Sequence, residues 1–176
     1  MKFKQKIDVI IATILILMGS IILVLPLFEV SNIKVVGIII FSVYTIVNIV
    51  QYYLTRKSKD IEGIISALAS IVALLITIFT KPQASPRTLA MILMTWVIIM
   101  SVAKLHKVDY YHDKKDRMWK IRVLNLGLFI IAGILTSINL AYANEVQIIV
   151  VGFFMLIHGI IELFDPITKS LLTRVK

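Results

Sequence analysis

The sequence predicts an all-α polytopic membrane protein of six transmembrane helices arranged as three helical hairpins, and three observations lead there. Hydrophobic residues make up 59% of the chain, charged residues 16%, and the mean hydropathy is +0.95, outside the range in which a folded chain can shield its apolar side chains from water. The apolar residues form continuous runs instead of alternating, so the backbone in lipid must satisfy its hydrogen bonds within helices and not between barrel strands. The cationic residues lie in clusters between those runs and favour one side of them.

A hydrocarbon core of about 30 Å needs about 20 helical residues. The first run, Ile7–Phe28, follows a basic start, "MKFKQK". It is longer than the apolar core of a signal peptide and no small-x-small cleavage site follows, so it is expected to be retained as a span. Further runs occupy Ile33–Leu54, Ile61–Phe79, Thr88–Leu105, Ile121–Tyr142 and Val146–Phe164. The connections "EVSN", "TKPQASPR" and "ANE" are short and predict antiparallel hairpins over about 7–54, 61–105 and 121–164 within one membrane domain, 1–176.

Lys and Arg set the orientation. Sixteen fall on the side of the N-terminus, the second and fourth connections and the tail, whereas Lys34, Lys81 and Arg87 fall on the other. That asymmetry predicts cytoplasmic N- and C-termini in a multi-pass plasma-membrane protein. The net charge of +9 therefore reads as membrane orientation, and nucleic acid is not an expected partner.

The connection "KLHKVDYYHDKKDRMWKIR" mixes cations with aromatic rings. Lys107, Tyr110, Tyr111, Lys114, Lys115, Arg117, Trp119 and Lys120 are expected to lie against anionic headgroups, charges in water and rings at the interface. His106 and His112, with Asp109, Asp113 and Asp116, match no metal-site spacing. The tail 166–176, with Ile167, Leu171, Leu172 and Val175 on one helical face, reads as a short amphipathic helix on the inner surface.

Few polar residues interrupt the spans. His158 and Glu162 in "HGIIELFDP" share a helix face at i, i+4, so they are candidates for a proton or ligand site. The alternative is structural: His158 bonds to a neighbouring helix while Glu162 marks the inner helix end. Tyr44, Asn48 and Gln51 form one stripe at i, i+4, i+7, and Asn125 and Asn139 add polar groups to the fifth span. These five are the candidate polar interior, either bonding between helices or lining a cavity. In the third span, "GIISALASIVA" places small residues at i, i+4, which suits a central helix or a dimer seam. Every Asp, Glu, Lys and Arg can be assigned to an interface, which argues against an ion-coupled pump.

The hairpins look related. "GSIILV", "ASIVAL" and "AGILTS" recur in their first helices, and "VVGIIIFSVYTIV" and "IVVGFFMLIHGII" share a glycine in their return helices, while the middle hairpin has "MILMTWVIIMSVA" there. With "MGSIILVLP" closing the first span and "IISALASIVALL" opening the second hairpin, the chain resembles the HdeD-like bacterial acid-resistance membrane proteins from about Ile7 to Phe164. The resemblance implies a plasma-membrane protein linked to stress or acid tolerance, and brings no catalytic residues with it.

With no cysteine there is no disulfide, thiolate nucleophile or cysteine metal site. No nucleophile elbow, phosphate-binding glycine loop or HExxH pair occurs. The expectation is a non-enzymatic protein without metal or cofactor, whose partners are the bilayer and a second copy or another membrane protein. The rival expectation is a small-solute or ion transporter, or the membrane subunit of one. An enclosed polar cavity at Tyr44, Asn48, Asn125 or Asn139 would favour that rival, and a packed interior would count against it.

Overall fold

The computed structural model describes residues 3–29, 32–55, 61–81, 85–113, 118–142 and 146–174. Six helices account for nearly all of them: α1 (Phe3–Val24), α2 (Ile33–Thr55), α3 (Ile61–Phe79), α4 (Ser85–Asp113), α5 (Met118–Tyr142) and α6 (Gln147–Arg174), with no strand among the described residues. Five are long and apolar enough to cross a membrane, over Gln5–Phe28, Ile33–Leu54, Pro86–His106, Met118–Ala141 and Gln147–Leu171. The apolar part of α3 is shorter, Gly63–Phe79. Large aliphatic side chains such as Ile10, Leu17, Ile46, Leu124 and Ile131 stand exposed around the bundle. In water such a surface would aggregate, whereas in lipid it is solvated.

Several helix ends are met by specific groups. Pro26 turns the end of α1 into a 3-10 turn, Leu25–Phe28, and Glu29 closes it in the left-handed region (φ 58°), its N–H bonding the Pro26 carbonyl at 3.1 Å. Asn32 Oδ1 accepts the Lys34 N–H at 3.1 Å and so caps the start of α2. The last carbonyls of α3 are met from another helix: the Lys34 ammonium donates to Ile78 O (2.8 Å) and Thr80 O (2.6 Å), a cation at a helix C-terminus.

The helices that pack most extensively are α1 with α6, α2 with α3, and α4 with α5; α5 with α6 and α3 with α4 follow, and α1 barely touches α2. The bundle is thus a ring in the order α1, α6, α5, α4, α3, α2. Helices joined by the short connections are neighbours in this ring but not its tightest pairs, α1 and α2 least of all. The reason lies in side-chain size. A Cβ at Gly19 of α1 would come within 2.5 Å of Leu156 N and 2.9 Å of Gly152 O, and one at Gly159 within 2.7 Å of Ile16 N and 3.0 Å of Ala12 O. Ala12 and Gly19 on α1 oppose Gly152 and Gly159 on α6, seven residues apart on each helix, and backbone rests on backbone. No comparable run of small residues joins α1 to α2.

Three other expectations change. Helix α3 is not central: it packs on α2 and α4, burying Ser66, Ala67, Ser70 and Ala73 and exposing Leu68, Val72 and Phe79. Most of the long basic connection is helix, because α4 runs on to Asp113 and α5 begins at Met118. The tail is not a separate amphipathic helix but the continuation of α6, with Pro166 inside it. Pro166 offers no N–H to the carbonyl four residues back, that of Glu162. Ile167 and Leu171 are exposed, and the side chains of Leu172 and Val175 lie outside the described residues.

Gly19→Ala should lower stability in detergent by about 1–3 kcal/mol, the usual cost of overpacking a tight contact. Gly127→Ala, where a Cβ meets nothing within 4 Å, should be neutral or gain up to about 1 kcal/mol. Equal effects of the two in denaturant unfolding would refute the close α1–α6 approach.

Candidate functional site: a caged histidine above two ion pairs

The continuous α6 carries His158 inward, where it is 1% exposed. Its Nε2 shares a hydrogen bond of 2.8 Å with Tyr44 Oη on α2. Four aromatic rings from four helices surround it. Phe154, one turn earlier on α6, stacks at 6.1 Å with planes 7° apart; Tyr44 stacks at 5.9 Å; Trp96 of α4 meets it edge-on at 5.9 Å; Phe129 of α5 lies at 4.9 Å. Tyr44 and Trp96 also meet edge-on at 5.0 Å. Aromatic pairs in these geometries add about 0.5–1.5 kcal/mol each beyond simple packing. The Trp96 indole N–H reaches Ser70 Oγ on α3 at 3.4 Å, and Ser70 in turn donates to the Ser66 carbonyl at 2.8 Å. One cluster thereby ties together α2, α3, α4, α5 and α6.

Glu162 pairs with Lys104 of α4, and the Lys104 ammonium also lies 5.4 Å from the Phe129 ring centroid. Phe129 therefore separates the ion pair from the histidine, touching both. One turn further along α6, Asp165 takes Arg122 of α5 at 2.8 Å and accepts from the Asn125 amide at 3.2 Å. Arg122 is 9% exposed. The charges of Lys104, Arg122, Glu162 and Asp165 thus lie near one end of the bundle, paired across helices. They enclose about 30 Å³ with Asn125, Val108, Leu126 and Ile161, room for a water or two.

The polar stripe on α2 divides. Tyr44 bonds across to α6; the buried Asn48 turns back, its amide donating to the Tyr44 carbonyl at 2.7 Å; Gln51 reaches Asp8 of α1 at 3.3 Å. Asn125 joins the Arg122–Asp165 pair. Asn139 is exposed and donates to Leu135 O of its own helix at 2.8 Å, so it is not part of a polar interior. Beside Tyr44, Trp96 and Phe154 the enclosed space is about 20 Å³ and lined almost entirely by apolar side chains, the size of a single water. Of the surface-loop set, His112 packs edge-on to Trp119 at 5.1 Å and the Lys120 ammonium lies 5.9 Å from the Trp119 ring. Lys114, Lys115 and Arg117, and the side chains of Lys107, Tyr110 and Tyr111, lie outside the described residues.

Trp96, Phe129 and Phe154 are absent from the sequence-derived candidates. A signal existed for Trp96, since tryptophan in spans concentrates at the two interfaces and this one sits mid-helix.

Fold and site together define a multi-pass helical membrane protein with a caged interior histidine. Residues 127–174, most of α5 and all of the described α6 from Gln147, match the family described as "Short repeat of unknown function (DUF308)". No curated protein and no solved structure matches the chain.

Tyr44→Phe should cost about 0.6–1.7 kcal/mol, the range for a hydrogen bond between membrane helices. Arg122→Met should cost more, about 3 kcal/mol, because it leaves the Asp165 carboxylate without its cation; Arg122→Met with Asp165→Leu should regain most of that loss. A double variant no more stable than the single would contradict the pairing as an energetic unit.

Proposed function

We propose that this chain is a non-enzymatic plasma-membrane protein of the HdeD-like kind, crossing the bilayer six times with both termini in the cytoplasm and supporting stress or acid tolerance through its helical bundle. The observation that carries the reading is the match of residues 127–174 to the DUF308 repeat, a family associated with HdeD-like membrane proteins. That segment contains Gly152, Gly159 and His158, the residues through which α6 packs on α1 and closes the aromatic cage. The small apolar space around the cage favours a packed bundle over a solute path. Helix α3 has 19 residues, about 28 Å at 1.5 Å per residue, which suits a sixth crossing. The distribution of cations supports the orientation, sixteen against three.

An acid response has a chemical seat in this reading. Neutral imidazole can donate to or accept from the Tyr44 hydroxyl, whereas imidazolium donates from both nitrogens and so changes the bond that joins α6 to α2. His158 is the residue through which acid would loosen the contacts of α6 with α2, α4 and α5.

Because the chain has no cysteine, single thiols report topology cleanly. Thiols at positions 57 and 116 should react with an impermeant maleimide only after permeabilisation, and thiols at 84 and 144 in intact cells; labelling of 116 and 144 from the same side would overturn the six-span reading. In a strain lacking the gene, wild-type protein should restore survival at acid pH and His158→Phe, at equal expression, should not. Full rescue by His158→Phe would remove the histidine from the mechanism. Proton or solute flux in proteoliposomes would replace the whole reading with transport.

A further inference from the structure

The lipid-facing surface is interrupted between α3 and α4 by an open groove of about 550 Å³. Small side chains create it. Ala69 and Ala73 on α3 and Thr88 and Thr95 on α4 line it between the larger walls of Leu68, Val72 and Met91, and Trp96 closes one side. Its lining runs from Ile65 to Ile76 on α3 and from Thr88 to Ile99 on α4, in each case about 16 Å of helix at 1.5 Å per residue. That is close to half of a hydrocarbon core of about 30 Å, the depth of one leaflet.

The groove has a cationic mouth. Thr88 and Ile92 belong both to it and to a small cleft that contains Lys34 and Thr80, so the Lys34 ammonium stands at its upper end. Arg87 is exposed and lies one turn above the lining residue Met91 on the same helix face. No acidic residue occurs anywhere from Gly63 to Val108. An apolar trough one leaflet deep under two cations matches the two halves of one molecule, an acyl chain and an anionic headgroup.

We propose that this groove is a binding site for an anionic phospholipid, one acyl chain lying between α3 and α4 and the phosphate at Arg87 and Lys34. A second copy of the protein fits less well. Two copies with the same orientation in one membrane, related by an axis along its normal, bring like ends together, here Arg87 and Lys34 against their own counterparts. This site lies at the opposite end of the bundle from the basic connection between α4 and α5, and it does not depend on the acid-tolerance reading.

The test uses full-length protein in a neutral detergent, titrated with phosphatidylglycerol or phosphatidylcholine and read by native mass spectrometry. Wild-type protein should hold one phosphatidylglycerol about fivefold more tightly than phosphatidylcholine, the factor expected from about one cation acting on an anionic lipid. Arg87→Gln should weaken that preference and Arg87→Lys should keep it. Thr95→Trp, which fills the groove from α4, should weaken both lipids by about fivefold or more, in line with losing the chain contact. Val72→Trp fills it from α3 and should do the same, which keeps the test decisive if one variant fails to fold. Equal binding of the two lipids by wild-type protein would overturn the proposal, as would unchanged lipid retention in folded Thr95→Trp or Val72→Trp. A lipid-free dimer that these variants dissociate would assign the groove to a second copy instead. Lost lipid preference in protein still recovered from membranes counts against the site alone and leaves the membrane assignment standing.

Discussion

A polar side chain in hydrocarbon has no water to bond when its protein partner is removed, and most of this structure follows from that constraint. Hydroxyls in the spans turn back onto their own helices: Thr77 donates to Ala73 O, Ser101 to Val97 O, Thr136 to Ala132 O and Ser137 to Gly133 O, all at 2.7–2.9 Å. These local bonds hide polarity without joining helices. Other groups reach across, among them Tyr44 to His158, Trp96 to Ser70, Ser66 to Met100 Sδ, Gln51 to Asp8, Asn125 to Asp165, Lys34 to the carbonyls at the end of α3, and the ion pairs near one end of the bundle. The histidine is held this way, its Nε2 bonded to the Tyr44 hydroxyl of α2 amid four aromatic rings.

With lipid as apolar as the helices, much of the cohesion has to come from close contact. The glycines supply it where α1 meets α6, and the chain closes into a ring by joining its first helix to its last. Elsewhere bulky groups fill the space: Gly133 of α5 lies against the Val97 side chain of α4 and Gly37 of α2 against Leu89. The match to a short repeat over residues 127–174 falls on such a unit, a helix pair carrying Gly133, Gly152 and Gly159 together with the caged His158. The same small residues that permit tight packing leave a trough where no helix covers them, as between α3 and α4.

The two ends of the bundle differ in how they treat charge. Near one end, Lys104 with Glu162 and Arg122 with Asp165 are drawn inside and neutralised in pairs. At the other, Lys34 gives two of its donors to the carbonyls at the end of α3, and Arg87 stands on the surface in a stretch of sequence without an acidic residue. Charge that is paired within the protein stabilises the bundle, and charge left at the rim is available to the membrane.

The sequence alone determined that the chain is helical and lipid-solvated, where the runs begin to within a few residues, and which polar residues stand out, because run length, hydropathy and cation counts are properties of each segment taken singly. Tyr44 and His158 were both legible as unusual residues, but not as partners, since 114 positions separate them. The i, i+4 spacing put Glu162 beside His158 on paper, but could not show that Lys104 of α4 offers the carboxylate an opposite charge or that Phe129 of α5 stands beside the imidazole. Asn139 looked equivalent to Asn125, and only the rotation of α5 placed one against Asp165 and the other outward. Helix order around the ring, the cage and the groove were decided by tertiary structure: they depend on which small residues on one helix meet which backbone on another, and a periodicity read along a single chain carries no information about its neighbour.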